Sequence, residues 1–465
     1  MSIAGAMMVP HPPIMLPEVG RGEEKKIEAT TKSYEKAAKL LAGLKPETII
    51  ISSPHSVMYS DYFHVSPGRA ARGDMGGFRA PQVSFNVDYD SEFINALARK
   101  AVKDDFPAGV LGEKDASLDH GTMIPLYYIN KYYTDYKLVR IGLSGLTLPD
   151  HYRLGQMIQF ISNEIDRRVF FVGSGDLSHK LLAEGPYGFA PEGPKYDERI
   201  MDVMGRAAFD ELFDFDESFC DKAAECGHRS FCIMAGALDG LDVKVEKLSH
   251  EGTFGVGYGV CTYVVNNDGN VYEDRQFLYK WERKMGRMLD ERRANEDPYV
   301  KLARETIESY IRDRKKPALP ADVPPEMKSD RAGTFVSIHK EGRLRGCIGT
   351  ISPVYGCIGE EIIENAISAS TRDPRFNPIK ADELGSLEIN VDVLSPAEDI
   401  SSKDELDVKR YGVIVTKGYN RGLLLPNLDG VDTIDEQVAI ALRKAGLSEN
   451  EKGYKLQRFE VVRHI

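Results

Sequence analysis

The chain has 465 residues, of which 42% are hydrophobic and 28% charged, and a formal net charge of -12. That length implies two or three domains with a sizeable core, and the negative balance excludes a nucleic-acid backbone or an anionic membrane as the main partner. No apolar run approaches a membrane span and no basic amino-terminal segment leads into an apolar one, so a cytoplasmic protein is expected.

In chain order, residues up to about 265 alternate helices and strands. Helical stretches run from Glu24 to Leu44 and from Ser91 to Lys103. Strands are expected at Thr48 to Ser52, Leu138 to Leu143, Val169 to Val172 and Gly257 to Val265. Helices between strands point to βαβ units, and so to an α/β domain with a mainly parallel sheet flanked by helices. The segment Gly68 to Pro81, rich in Gly, Arg and Ala, reads as a long functional loop.

Asn266-Asn267-Asp268-Gly269-Asn270 signals a turn, and the charged stretch Glu282 to Glu296 a connecting helix. The expected division is therefore a first domain over 1–270, a charged helical linker over 271–295 and a second domain over 296–465. The second domain opens with a helix from Tyr299 to Arg312 and a proline-rich loop from Pro317 to Pro325, after the basic loop Arg312-Asp-Arg-Lys-Lys316. Strands follow at Gly333 to His339 and Leu344 to Ile348, then a helix from Gly359 to Ser370. Further strands cover Leu387 to Leu394, Gly412 to Lys417, Gly422 to Leu425 and Leu456 to Val462, with a helix from Ile434 to Ala445 before the last. That mixture is α+β with mostly antiparallel pairing.

The six cysteines, Cys220, Cys226, Cys232, Cys261, Cys347 and Cys357, form no C-x-x-C pair and are expected to be reduced. Three of the ten histidines, His11, His55 and His179, each follow a separate strand-like run. Parallel sheets gather functional groups where their strands end, so the pattern suggests a metal site. A non-haem Fe(II) centre needs two neutral imidazoles and a carboxylate on one face, with the other face open. His11 and His55 are the natural imidazole pair, though histidines in turns read the same way. Glu225 offers the carboxylate, although most glutamates are simply solvated.

Five motifs occur in one order: Val9-Pro10-His11-Pro12-Pro13, Ser53-Pro54-His55, Leu118-Asp119-His120-Gly121, Gly175-Asp176-Leu177-Ser178-His179, and Glu225 ahead of Arg229-Ser230. Together they resemble the class III extradiol ring-cleavage dioxygenases, of which Memo-like proteins are a branch. The resemblance implies His11, His55 and Glu225 as Fe(II) ligands, His179 as the acid/base and His120 as a group beside bound dioxygen or substrate. A neutral-range imidazole suits the proton traffic of a catechol. Asp119 would orient an imidazole or cap a helix; Asp176 and Ser178 read as turn residues. Memo-like relatives use a cysteine in this region, and a His11, His55, Cys226 set would favour Zn(II) or copper; a buried inert thiol is the plain alternative. His228 reads as a packing neighbour, and His64, His151, His250, His339 and His464 have no supporting context. Met15, Tyr59 and Phe78 are substrate walls or core.

Leu344-Arg345-Gly346-Cys347-Ile348-Gly349, Thr371-Arg372-Asp373-Pro374-Arg375-Phe376 and Gly422-Leu423-Leu424-Leu425-Pro426 resemble the AMMECR domain. Arg345 beside Cys347 would favour a reactive thiolate, against a packed thiol; Arg345, Arg372 and Arg375 form an anion patch or ordinary ion pairs. The fusion resembles AmmeMemoRadiSam system proteins, which implies a radical SAM partner encoded elsewhere, since no C-x-x-x-C-x-x-C motif is present. The leading expectation is an Fe(II)-dependent extradiol-type dioxygenase acting on a small catecholic or related aromatic substrate with O2, in a possible homo-oligomer. The alternatives are a Memo-like metal-binding or interaction protein, and a modifying enzyme using Cys347.

Overall fold

The computed structural model describes residues 2–266, 270–428 and 430–465. The turn expected at Asn266–Asn270 therefore falls largely outside the described residues. Contacts divide the chain into Met1–Arg283 and Lys284–Ile465, a division that falls inside the helix Phe277–Ala294.

In the first unit, strands that are apolar on both faces build one sheet. Its order is Lys137–Gly142, Thr48–Ser53, Val169–Ser174, Ile3–Val9, Tyr258–Val265 and Val243–Glu251. The first four are parallel and nearly every residue in them is buried, as expected of strands covered on two sides. The last two join antiparallel, so the sheet is mixed. Val243–Glu251 carries Lys, Glu, Ser and His among its few apolar residues and half-exposed positions, which is why its sequence gave no strand signal. The helix Glu28–Leu44 lies against this antiparallel edge and against the helix His120–Ile129.

The segment expected as a long loop is instead a ribbon. Ala70–Met75 pairs antiparallel with Ala80–Asp88 across a short turn of 3-10 helix, Gly76–Phe78. Alternation survives there in small residues, with Ala71 and Met75 buried between exposed neighbours, too weak a pattern to read from composition.

Helices Leu148–Glu164 and His228–Ala237 interlock through glycine. A Cβ on Gly155 would stand 2.1 Å from the Ile233 carbonyl oxygen, and one on Gly236 2.0 Å from that of Tyr152. The helices approach backbone to backbone, and the second carries the turn Glu225–Gly227 at its start.

The second unit holds two four-stranded sheets with antiparallel pairing throughout. One runs Arg343–Gly349, Thr334–Lys340, Leu387–Leu394, Val461–His464; the other Glu398–Ile400, Lys455–Phe459, Gly412–Lys417, Asn420–Leu424. The single strand expected over Leu456 to Val462 is two strands in different sheets. The chain crosses at Glu460, whose N–H donates to Ser395 Oγ at 2.9 Å while its carbonyl accepts the Ser395 N–H at 2.9 Å. Among the described residues no helix is long and apolar enough to cross a membrane.

The interlock yields a prediction. Gly155→Ala should lower stability by about 2–3 kcal/mol through overpacking against backbone that cannot move aside. Urea denaturation measures this, and an unchanged midpoint would show that the helices are not locked there.

Candidate metal centre

Strand register places the site. In the parallel pairing Val9 lies opposite Ser174 and Ser52 opposite Gly173, so three neighbouring strands end level. His11 and His55 follow two of those ends and Ser174 closes the strand between them. Their Nε2 atoms stand 3.0 Å apart, with ring centroids at 4.8 Å.

The His11 tautomer follows from its partners. Ser174 Oγ donates to the Gly121 carbonyl at 2.6 Å, which leaves it to accept from His11 Nδ1 at 2.9 Å. A proton on Nδ1 turns the Nε2 lone pair toward His55 and Cys226. Cys226 Sγ lies 3.7 Å from that nitrogen. The ligand atoms of His11, His55 and Cys226 all fall within 4.8 Å of one another, and they form the only such group among the described residues.

Two glycines bring Cys226 in. A Cβ on Gly175 would meet the Gly227 Cα at 2.1 Å, so the turns 174–176 and 225–227 touch through bare backbone. The Cys226 N–H donates to the Asp176 carbonyl at 3.3 Å, and the Asp176 N–H reaches Cys226 Sγ at 3.3 Å. Asp176, read as a turn residue, also accepts the His11 N–H at 2.8 Å and so ties both loops together.

The carboxylate expected beside the two imidazoles is absent from this cluster. The ligand group holds Cys226 and not its neighbour Glu225, whose Oε2 accepts the His228 N–H at 2.6 Å at the start of the helix His228–Ala237. The unpaired N–H groups of a helix start attract a carboxylate, and that attraction holds Glu225 away from His11 and His55. His228 packs as expected, bonded to the Leu212 carbonyl at 2.9 Å and the Tyr196 hydroxyl at 3.2 Å.

His120 joins the cluster from the first turn of His120–Ile129. Asp119 caps that helix, accepting the Thr122 N–H at 3.0 Å and the Ser53 hydroxyl at 2.5 Å. The helix start is thereby bonded to the strand leading to His55, and the His120 ring lies 3.9 Å from that of His55. Gly121 permits the approach, since a Cβ there would meet Ser53 Oγ at 2.3 Å. Phe78, exposed, packs edge-on to His120 at 5.3 Å. Of the other expected walls, Met15 is core beneath Tyr128 and Tyr59 bonds the Glu113 N–H.

His179 stands near enough to His11 and His55 to disfavour their cations. Its ring packs edge-on to Tyr187 at 5.1 Å, and its buried Nδ1 has no partner among the described residues. The loop before it hangs on Asp197, a buried carboxylate that accepts the Ser178 N–H at 2.9 Å and His250 Nε2 at 2.7 Å. Gly257 must be glycine, because a Cβ would sit 1.9 Å from Asp197 Oδ2. Neither Asp197 nor His250 carries a motif in the sequence; only the fold brings them under His179.

Burial sets the charge state of the site. It pulls His11 well below the ordinary imidazole range, with His55, His120 and His179 adding repulsion. His55 and His179 are lowered chiefly by burial, and His120 falls to about 4 through burial and His55. The same burial acts oppositely on acids: Asp176 rises to about 7 and the Cys226 thiol goes well above its usual value. The cluster thus offers two neutral imidazole lone pairs and a thiol that only an adjacent cation would hold deprotonated.

The family described as the catalytic LigB subunit of aromatic ring-opening dioxygenase matches residues 5–261, and the AMMECR1 family matches residues 300–464. A protein of Clostridium acetobutylicum is 43% identical over 473 residues, covering 100% of this chain and 99% of its own. A protein of Thermotoga maritima is 49% identical over 170 residues, 36% of this chain and 98% of its own. Among solved structures, an uncharacterized protein of Pyrococcus horikoshii shows 34% identity over 36% of this chain and 88% of its own, with a TM-score of 0.34. An uncharacterized protein of Escherichia coli K12 shows 16% identity over 56% of this chain and 99% of its own, with a TM-score of 0.37.

In the metal-free chain His120 should titrate near pH 4, because burial and its imidazole neighbour disfavour the cation. Its imidazole NMR signals should therefore hold their neutral positions down to about pH 5. A midpoint at the ordinary histidine value would show that the cluster is open to water.

Proposed function

Because the chain belongs to the family of catalytic LigB subunits of aromatic ring-opening dioxygenases and carries an AMMECR1 domain after that unit, we propose that its first unit is a metal-dependent enzyme whose ion is held by His11, His55 and Cys226. The observation that supports this is the convergence of those three ligand atoms within 4.8 Å. Two imidazoles and a thiolate suit zinc or copper. The set of two imidazoles and one carboxylate that suits Fe(II) does not fit the residues as they lie, because the Glu225 carboxylate is bonded to the His228 N–H.

A bound ion of this kind supplies Lewis acidity at a position left open for substrate, and copper would add one-electron chemistry. The chain's residues supply the rest. Ser174 fixes the His11 tautomer, and the Arg140 guanidinium lies 3.7 Å from the Asp119 carboxylate that orders the approach of His120. His120, neutral and beside His55, is placed to take a proton from an acidic substrate hydroxyl. His179, with a buried and unpartnered Nδ1, is placed to hold or return one. Phe78 and Tyr187, both exposed, flank these two imidazoles and offer apolar walls to an aromatic ring.

A second reading is favoured by the family match: Fe(II)-dependent extradiol cleavage of a catecholic or related aromatic substrate with O2, with Glu225 as the carboxylate ligand. It requires Glu225 to leave the His228 N–H. A radical SAM protein encoded elsewhere remains the proposed partner.

Metal titration in wild type and variants separates the readings. On the first, about one zinc or copper binds per chain, and His11→Ala, His55→Ala and Cys226→Ala each weaken it by about a hundredfold or more. Glu225→Gln keeps the ion, and copper loading gives a thiolate charge-transfer band that Cys226→Ala removes. Loss of iron in Glu225→Gln, together with catechol-dependent oxygen uptake by the iron-loaded wild type, would replace the first reading by the second.

A further inference from the structure

The helix Glu192–Arg206 lays one face along the His179 loop and the sheet. Gly193, Asp197 and Met201 stand four residues apart and so share that face. A Cβ on Gly193 would meet the Lys180 carbonyl oxygen at 2.6 Å and Ser178 Oγ at 2.7 Å, so the first turn passes the loop on bare backbone. A Cβ on Gly259 would stand 2.5 Å from Met201 Sδ, which puts the sheet against the same side of the helix. His250 lies opposite Gly259 in the register and so faces that helix too. Its Nε2 donates to Asp197 Oδ2 at 2.7 Å.

Ser178, the residue before His179, is held at every polar atom. Its N–H donates to Asp197 Oδ1 at 2.9 Å, and its carbonyl accepts the Gly257 N–H at 2.8 Å. Its hydroxyl donates to the Ala223 carbonyl at 2.8 Å and accepts the Lys180 N–H at 3.0 Å. Three of these partners are backbone groups; Asp197 alone is a side chain. That carboxylate is 1% exposed, whereas the His250 side chain bonded to it is 34% exposed and belongs to the edge strand of the sheet. Burial raises the Asp197 carboxyl, and the hydrogen bond from His250 is the largest influence against that rise. The buried anion therefore leans on an imidazole at the surface.

The loop has a second anchor at its other end, where Asp176 holds the His11 N–H and the Cys226 N–H. Between the two anchors the chain has little freedom. The His179 ring has much more: its buried Nδ1 has no partner among the described residues, and its contact with Tyr187 is edge-on at 5.1 Å.

We propose that Asp197 and His250 are positioning residues for His179, setting the direction of its imidazole beside the metal cluster. The inference rests on the reading of His179 as a proton-carrying group of that cluster. His250 keeps the carboxylate charged, the carboxylate fixes the Ser178 N–H, and the next peptide sets where the His179 ring leaves the backbone. Hydrogen bonds from behind are what lock a functional side chain in one direction.

NMR of the full chain with labelled histidine and tyrosine tests this, with His179→Gln identifying the His179 signals. In the wild type, His179 and Tyr187 ring protons should show a nuclear Overhauser effect, and the stacked rings of Tyr34 and Tyr128, 4.4 Å apart, should show another. His250→Ala should remove the first and keep the second. His250→Gln, which returns an N–H donor to Asp197, should restore the first. Absence of the first effect in the wild type, its persistence in His250→Ala, or its loss in His250→Gln would overturn the proposal. Loss of the Tyr34–Tyr128 effect in His250→Ala would overturn it too and leave the pair a tie that holds the fold. Zinc titration of the wild type decides the metal reading separately, since neither effect needs a bound ion.

Discussion

Everything in the first unit depends on three parallel strands ending at one level. Val9 comes opposite Ser174 and Ser52 opposite Gly173 only in the observed register, and the loops carrying His11 and His55 leave the sheet from those ends. A slip of one residue would turn each strand's side chains to the other face and carry the histidines apart. The register is held by burial: Met7, Met8, Ile49, Ile50, Ile51, Phe170 and Phe171 are wholly enclosed. Each such side chain is worth about 2 kcal/mol, so the edge that carries the histidines is fixed by the apolar core beneath it rather than by contacts within the cluster.

The same enclosure governs the chemistry of the edge. Imidazoles, a carboxyl and a thiol stand together in a place that disfavours charge, and each responds by shifting toward its neutral form. A cluster of neutral donors without a charge of its own is poised for a cation, whose arrival would favour the thiolate and engage both lone pairs at once. Around it, hydrogen bonds specify orientation. Ser174 sets a tautomer, Asp119 anchors the helix under His120, and Asp197 with His250 supports the loop under His179.

Glycine does much of the positioning where backbones must touch. Gly175 and Gly227 let two turns meet so that Cys226 reaches His11, and Gly121 lets a helix start close on Ser53 and His55. In the second unit Gly346 plays the same part, pressing an edge strand onto a helix end and leaving the neighbouring thiol at the surface. Side chains would hold these pieces apart by about the width of a methyl group, enough to separate donors that need hydrogen-bond range.

The sequence by itself determined much of the frame. Buried strands announced themselves as uninterrupted apolar runs, the histidines at their ends were legible as a cluster, and helices such as Ser91–Lys103 followed from their periodicity. Those features are local, and local pattern carries them. The antiparallel strand Val243–Glu251 and the ribbon Ala70–Asp88 escaped because their pairing partners, not their own side chains, make them strands. Asp197 and His250 escaped because nothing near them in sequence marks their contact with the His179 loop. Above all, the different contacts of Glu225 and Cys226 were decided by tertiary structure alone: Cys226 Sγ lies 3.7 Å from His11 Nε2 and Glu225 accepts the His228 N–H. Two adjacent residues in a turn make different contacts, and which one reaches the histidines depends on how Gly175 meets Gly227 and on a helix start that claims the carboxylate for itself.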